Sequence, residues 1–285
     1  MEIIKTTRAM TRLADQWRSQ GLCIGFVPTM GYFHEGHIEL MRMAKRDADK
    51  AAVSLYVNPT QFGPTEDLAK YPRDFDGDCA KAASAGVDVM FAPDSSEMYP
   101  AGACTFVAVD SELTKVLCGS SRPTHFRGVT TICAKLFTIV KPHFAVFGQK
   151  DYQQLLVIRR MVKDLCMDLE IIAHPTVREP DGLAMSSRNA YLSPEERKQA
   201  VCIYQAIQNA INLYKKGERS HKTIVEEVRF VIEKSPSARM DYIEIRRMPD
   251  LADPTDPMIG GHLLALAVFF GKTRLIDNCV LGNEE

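Results

Sequence analysis

At 285 residues, with 46% hydrophobic and 25% charged side chains, the chain has apolar material for one large or two ordinary packed domains. A formal net charge of -1 excludes a broad basic footprint, and with it nucleic acid as the main partner. The opening MEIIKTTRAMTRLADQW lacks a continuous apolar core, and no segment nears the roughly 18 apolar residues that cross a bilayer; the expectation is a soluble, cytoplasmic protein with no membrane partner.

In chain order, LCIGFV (22–27) is the first predicted strand, because apolar and β-branched residues run on without strict alternation. It ends in PTMGYFHEGH (28–37), after which His37 to Ala48 reads as a helix. AAVSLYV (51–57) is the next strand and runs into VNPTQFGP; a helix over Asp76 to Ala85 and the strand VDVMFA (87–92) follow. FAVFG (144–148) is a further buried strand, and Leu155, Ile158, Val162 and Leu165 then recur on one helix face. The alternation predicts an α/β fold with helices on both sides of a parallel sheet.

Near residue 180 the pattern changes. REPDGLAMSSRN gathers the residues of a loop, and LSPEER supplies a Ser N-cap with Pro at the first helical position. This predicts two domains, residues 1–180 and 181–285. The second has helices over about 194–216 and 220–234, then the strands DYIEIRRM, HLLALAVFF and TRLIDN, a smaller α/β domain. Eight cysteines (Cys23, Cys79, Cys104, Cys118, Cys133, Cys166, Cys202, Cys279) form no CxxC pair, so most should be reduced and buried.

Ligands of an open α/β sheet bind beyond the carboxyl ends of strands, where PTMGYFHEGH stands. Gly31 and Gly36 allow close backbone approach, the next helix offers unpaired N–H groups, and His34 and His37 are potential donors to phosphoryl oxygens. The bland alternative is a turn with two incidental imidazoles. A metal site is a poorer reading, since His34 and His37 around Glu35 differ from HExxH and no third ligand is indicated nearby. FGQKDYQQ (147–154) puts Lys150 and Asp151 after another strand, to meet a charged ligand or simply to be solvated at a helix start; one of Gln153 and Gln154 should face the crevice. AMSSRN offers the hydroxyls of Ser186 and Ser187 and the forked guanidinium of Arg188, suited to phosphate but also ordinary turn chemistry. VNPTQFGP sets the neutral amides of Asn58 and Gln61 where a carboxylate or hydroxyl could bind, with an Asn-Pro turn as the alternative.

Together these segments resemble the pantothenate synthetases, the pantoate–β-alanine ligases, along nearly the whole chain. The matching words are PTMG..HEGH, VNPTQFGP.EDL.KYPR, HFRGV....AKLF.IV.P, FGQKDYQQL.VIRRMV.DL, PTVRE.DGLAMSSRN.YLS and FGKTRLIDN. HxGH and the Met-Ser-Ser-Arg loop also relate that family to the class I aminoacyl-tRNA synthetase and nucleotidylyltransferase superfamily. The resemblance implies a Rossmann-like doubly wound parallel sheet, with the smaller domain closing over the active site. It implies condensation of pantoate with β-alanine to pantothenate, with ATP converted to AMP and pyrophosphate through pantoyl adenylate. By the same resemblance ATP is held by Met30, Gly31, Tyr32, Phe33, His34, Glu35, Gly36 and His37, by Gly148, Gln149, Lys150 and Asp151, by Val177, and by Met185, Ser186, Ser187 and Arg188. Gln61 and Gln154 carry over as pantoate ligands, Gln61 also near the amine, and His37 as proton donor, with His34 and Lys150 sharing the catalytic charge stabilisation. Mg²⁺ is implied as an ion carried on the ATP phosphates, without a protein metal site, and the implied assembly is a homodimer. Tyr32 and Phe33 depart from the small and aliphatic residues that the family has at this turn. Rival readings are a nucleotidylyltransferase of the same superfamily and a noncatalytic adenine-nucleotide sensor; the neutral Gln61 and Gln154 favour a hydroxy-carboxylate over a phosphorylated acceptor.

Overall fold

The computed structural model describes residues 1–64 and 66–282. In chain order it contains β1 (Glu2–Ile4), α1 (Thr7–Ser19), β2 (Ile24–Thr29), α2 (Glu35–Asp47), β3 (Lys50–Leu55), α3 (Phe75–Ser84), β4 (Val89–Phe91), α4 (Ser95–Met98), α5 (Cys118–Ser121) and α6 (His125–Val140). There follow β5 (Phe144–Gly148), α7 (Tyr152–Asp164), β6 (Glu170–His174), α8 (Pro194–Ala200), α9 (Cys202–Lys215), α10 (His221–Glu233), β7 (Ala238–Arg247), β8 (His262–Phe270) and β9 (Thr273–Leu281). Two compact units result. One comprises Met1–Asp110, Ser121–Gln149 and Gln153–Pro175, the other Ser111–Ser120, Lys150–Tyr152 and Thr176–Glu285.

The first unit is a six-stranded sheet in the order β1-β4-β3-β2-β5-β6, parallel throughout. The chain winds outward from β2 through β3 and β4, then returns to lay β5 on the other side of β2. The order therefore reverses between β2 and β5, the place where doubly wound sheets bind ligands. Alternation along β2 sorts its side chains between two layers. Val27 packs with Ile38, Met41 and Ala44 of α2, whereas Phe26 meets Phe137 of α6 edge to face at 6.4 Å. Phe26 and Met41 are both fully buried, and each large side chain so placed contributes on the order of 1.5–3 kcal/mol. Gly25 has no room for a side chain, because a Cβ there would lie 2.7 Å from the Phe144 ring and 2.9 Å from the Ala44 carbonyl.

The second unit carries an antiparallel sheet, β7-β8-β9. On β8, Leu264, Leu266, Val268 and Phe270 recur with period two and share a core with Ile203, Ala206, Ile207 and Ala210 of α9 and Ile224, Val228 and Ile232 of α10. A two-residue turn at Gly271 and Lys272 joins β8 to β9, with Gly271 at φ 56, the conformation such a tight hairpin requires at its first position. Ser193 and Glu196 form the reciprocal cap of α8, with Pro194 in its first turn.

Several expectations need correction. The helix expected over 194–216 is two, parted at Val201. Leu165 lies beyond α7 and is 51% exposed, so the apolar face there ends at Val162. Only Cys118, Cys133 and Cys202 are buried, whereas Cys104 and Cys166 are exposed; all eight thiols are free. Among the described residues no helix is long and apolar enough to cross a membrane.

Candidate active site

β2 ends at Thr29, and the chain must turn sharply to start α2 at Glu35. Gly31 at φ 88 and Tyr32 at φ 55 make that turn in consecutive left-handed conformations, unusual for a residue with a side chain. A buried carboxylate holds it: Asp78 of α3 accepts from the Tyr32 N–H at 2.7 Å and the Phe33 N–H at 2.6 Å. Burial pushes the Asp78 carboxyl upward, and the two N–H bonds and nearby Lys81 pull against it. The Phe33 ring, 3% exposed, packs into the core and lies 5.6 Å from the His37 ring.

His34 is the N-cap of α2, and its Nδ1 accepts from the Gly36 N–H at 3.1 Å. His37 closes the cap from the other direction, Nδ1 accepting from the His34 N–H at 3.4 Å. An imidazole nitrogen that accepts a hydrogen bond carries no proton, so each neutral ring has its hydrogen on Nε2. The fold thus assigns the tautomer of both rings, which lie 4.1 Å apart. The result is a pair of N–H donors at the positive end of a thirteen-residue helix.

The loop after β3 is held from several sides. Asn58 Nδ2 donates to Gln61 Oε1 at 2.9 Å and to the Gly128 carbonyl at 3.1 Å, while Asn58 Oδ1 accepts from the Tyr99 hydroxyl at 2.9 Å. The Gln61 carbonyl accepts from His125 Nδ1 at 2.9 Å and from Arg122 Nη2 at 3.2 Å. With Nδ1 donating, His125 Nε2 is left to accept from Arg122 Nη1 at 3.1 Å. Arg122 also forks onto Glu66. Burial raises the Glu66 carboxyl, and Arg122, with smaller help from His125 and Gly63, more than reverses it, so its net shift is downward. Gln61 is buried, as is Gln153, while Gln154 beside it is half-buried.

Gln149–Asp151 is a single 3-10 turn leading from β5 into α7. Lys150 Nζ lies 3.3 Å from Asp151 Oδ2, and the Lys150 carbonyl accepts from Asn278 Nδ2 at 2.7 Å. Residues 177–185 fold back on themselves: the Met185 N–H donates to the Val177 carbonyl at 3.0 Å, and Arg178 pairs with Ala184. Arg178 braces this loop by donating to both oxygens of Asp277, at 2.6 and 3.1 Å, and to the Gly182 carbonyl. Burial lowers the guanidinium's pKa, but the Asp277 carboxylate more than restores it. Ser186 Oγ accepts from the Arg188 N–H at 3.3 Å and so caps the short 3-10 helix Ser187–Tyr191, and Ser187 is buried.

A family model described as pantoate-beta-alanine ligase matches residues 2–280. The chain belongs to that family. It is therefore a ligase. It is 55% identical over 281 residues to the pantothenate synthetase of Syntrophobacter fumaroxidans, covering 99% of each chain, and 54% identical over 284 residues to that of Syntrophus aciditrophicus, covering 100% of this chain and 99% of the other. Among solved structures, the pantothenate synthetase of Thermus thermophilus superimposes with a TM-score of 0.93 at 42% identity, covering 99% of this chain and 100% of that one. The pantoate-beta-alanine ligase of Francisella tularensis, solved with beta-gamma ATP and beta-alanine, does so with a TM-score of 0.81 at 33% identity, covering 100% and 99%.

The structure brings His34 and His37 into one cap, and within the other unit it pairs Val177 with Met185. Supporting residues escaped the sequence reading. Asp78, Arg122, His125, Arg178 and Asp277 each hold a candidate ligand's backbone or loop rather than presenting a group of their own. His125 begins HFRGV, Arg178 lies in PTVRE and Asp277 in TRLIDN, words that were legible but gave no role, whereas Asp78 and Arg122 lie outside them.

Proposed function

We propose that this ligase condenses pantoate with β-alanine to give pantothenate, in two steps driven by ATP. A pantoate carboxylate oxygen attacks the α-phosphorus of ATP; the bond to the bridging oxygen breaks and its electron pair leaves with pyrophosphate. The β-alanine amine then attacks the acyl carbon of the adenylate, AMP leaves with the electrons of the acyl–oxygen bond, and the amine gives up a proton. Adenylation is needed because a carboxylate oxygen leaves badly and AMP leaves readily. The observation that carries this reading is the reciprocal cap of His34 and His37. It fixes both rings as Nε2–H donors, the state that stabilises charge growing on phosphoryl oxygens.

In this proposal His37 is the proton donor, His34 shares the α-phosphate, and Lys150 and Arg188 supply positive charge. Met30 to His37, Gly148 to Asp151, Val177 and Met185 to Arg188 bind ATP. Gln61 and Gln154 bind pantoate through neutral amides that add no competing charge. Among the described residues no group of three or more His, Cys, Asp or Glu gathers to hold a metal. A Mg²⁺ carried on the triphosphate would neutralise charge that develops on the phosphates. A homodimer and a cytoplasmic location belong to the same proposal. Eight free thiols fit the reducing compartment of that proposal.

Pyrophosphate exchange tests the order of chemistry. With Mg²⁺, ATP and pantoate but no β-alanine, labelled pyrophosphate should appear in ATP, and omission of pantoate should abolish this. Exchange that strictly required β-alanine, from enzyme active in the full reaction, would reject the free adenylate step. No pantothenate or AMP from the full mixture would leave only a nucleotide sensor.

A further inference from the structure

Asp78 is 1% exposed, a carboxylate inside the first unit's core. Both of its oxygens are used, each by one of two consecutive amides, Tyr32 and Phe33. These amides lie in and just after the left-handed pair Gly31 and Tyr32. Successive N–H groups at such a turn make an anion-binding concavity. In this chain the protein's own carboxylate fills it. One turn further along α3, Lys81 Nζ donates to the Phe33 carbonyl at 2.9 Å, so a single helix grips Phe33 at both its N–H and its carbonyl. The next residue is His34, whose ring opens the reciprocal cap.

We propose that Asp78 is a positioning residue for the adenylation step: by occupying the concavity of Gly31 to Phe33 it aims the His34 and His37 pair and denies the concavity to substrate phosphates. The proposal rests on the reading above, in which both imidazoles donate to phosphoryl oxygens. The chemistry of the residue type is restrictive. Asn would turn an NH₂ donor toward one of two backbone donors, and Ala would leave both amides unpaired. Space is equally restrictive, since a Cβ on Gly31 would lie 3.0 Å from Asp78 Oδ2.

The test is Asp78→Asn in the full chain, alone and combined with His37→Ala, followed by pyrophosphate exchange and by long-range ¹H–¹⁵N spectra of the imidazoles. Asp78→Asn should lower exchange kcat about tenfold or more while the ATP KM moves less than about threefold, and should shift the His34 and His37 ring signals. In the His37→Ala background the same change should cost distinctly less than it does alone, because part of the action of Asp78 is through that ring. A residue that merely held the fold would reduce the folded yield and leave kcat per folded molecule and both ring signals unchanged; that outcome, or the full loss repeated in the double variant, overturns the proposal. If His37→Ala and His34→Asn themselves leave exchange intact, the phosphate-donor reading has failed and the role of Asp78 falls with it. Should Asp78→Asn not fold, Lys81→Met removes the second grip on Phe33 and decides in its place. Ring signals and exchange both unchanged in that variant would overturn the proposal.

Discussion

Two polar loops, residues 28–37 in the first unit and 176–191 in the second, are both held by side chains bonded to backbone, yet they divide the labour differently. In the first, one imidazole nitrogen does the structural work and the other keeps its proton: His34 and His37 cap α2 through Nδ1 and remain donors through Nε2. In the second, different residues take the two roles. Arg178 and Asp277 brace the loop, and Ser186 commits its oxygen to capping Ser187–Tyr191. A two-headed side chain lets a turn be rigid and reactive at one position, whereas a one-oxygen side chain needs neighbours to supply the rigidity.

The largest effect that would break this contrast is expected at Arg178. Arg178→Ala leaves the Asp277 carboxylate, 1% exposed at its side chain, without its cation, and should cost about 3–5 kcal/mol of stability in urea unfolding. A loss below about 1 kcal/mol would show that Arg178 does not brace this loop. In the other loop the two functions should separate. His34→Asn retains an N-cap acceptor and should unfold within about 0.5 kcal/mol of the parent, while turnover falls about a hundredfold, as from loss of a transition-state donor. His37→Ala should lose at least as much turnover. A His34→Asn variant with near-normal turnover would make the cap the whole role of that ring.

A milder effect is expected at Gln61. Gln61→Ala removes a neutral amide and leaves Asn58 Nδ2 one partner short, so pantoate binding should weaken by about 1–2 kcal/mol with ATP affinity unchanged in calorimetric titration. Equal weakening of both ligands would place Gln61 in the nucleotide site or the fold.

The smallest effect is a pH dependence that each unit carries separately. His143 Nδ1 accepts from the Ile24 N–H in the first unit; burial, then the Arg18 charge, lower its pKa. Burial likewise lowers the pKa of His262 in the second. A histidine whose folded pKa lies below its unfolded value of about 6.5 binds more protons when unfolded. Its contribution is therefore complete above about pH 6.5 and is lost as pH falls toward the folded value. Urea midpoints should drop between pH 7 and 5, and less so in His143→Asn and in His262→Asn. An unchanged slope in both variants would place the acid sensitivity elsewhere.

How much of this was legible in the sequence follows from what each residue does. The central strands β2, β3 and β5 were visible because burial on both faces leaves unbroken apolar runs. β1 and β6, at the two ends of the sheet, are short and partly exposed, and offered no such run. α6 was missed because its apolar residues reach round the cylinder, and Val129, Thr130, Thr131 and Ile132 suit a strand as well as a buried helix. Of the site, the groups that present chemistry were readable from residue type and place after a strand. Asp78 was not, since an aspartate in DFDGDCAKA looks like one more solvated carboxylate until the fold buries it.

The position of β5 beside β2 has a consequence for the order of assembly. β2 meets β3 through the register Ile24 with Lys50, a short loop to close, but meets β5 through Gly25 with Phe144, across more than a hundred residues. Two doublings of loop length add about 1.2 kcal/mol of closure entropy, so the crevice at the carboxyl ends of β2 and β5 is reached late. On this ground the β2–β3 pairing, with the histidine turn beside it, is expected to form before β5 closes the crevice. Pulse-labelled hydrogen exchange should then find the β3 amides protected before those of β5, and nucleotide affinity arriving only with the latter.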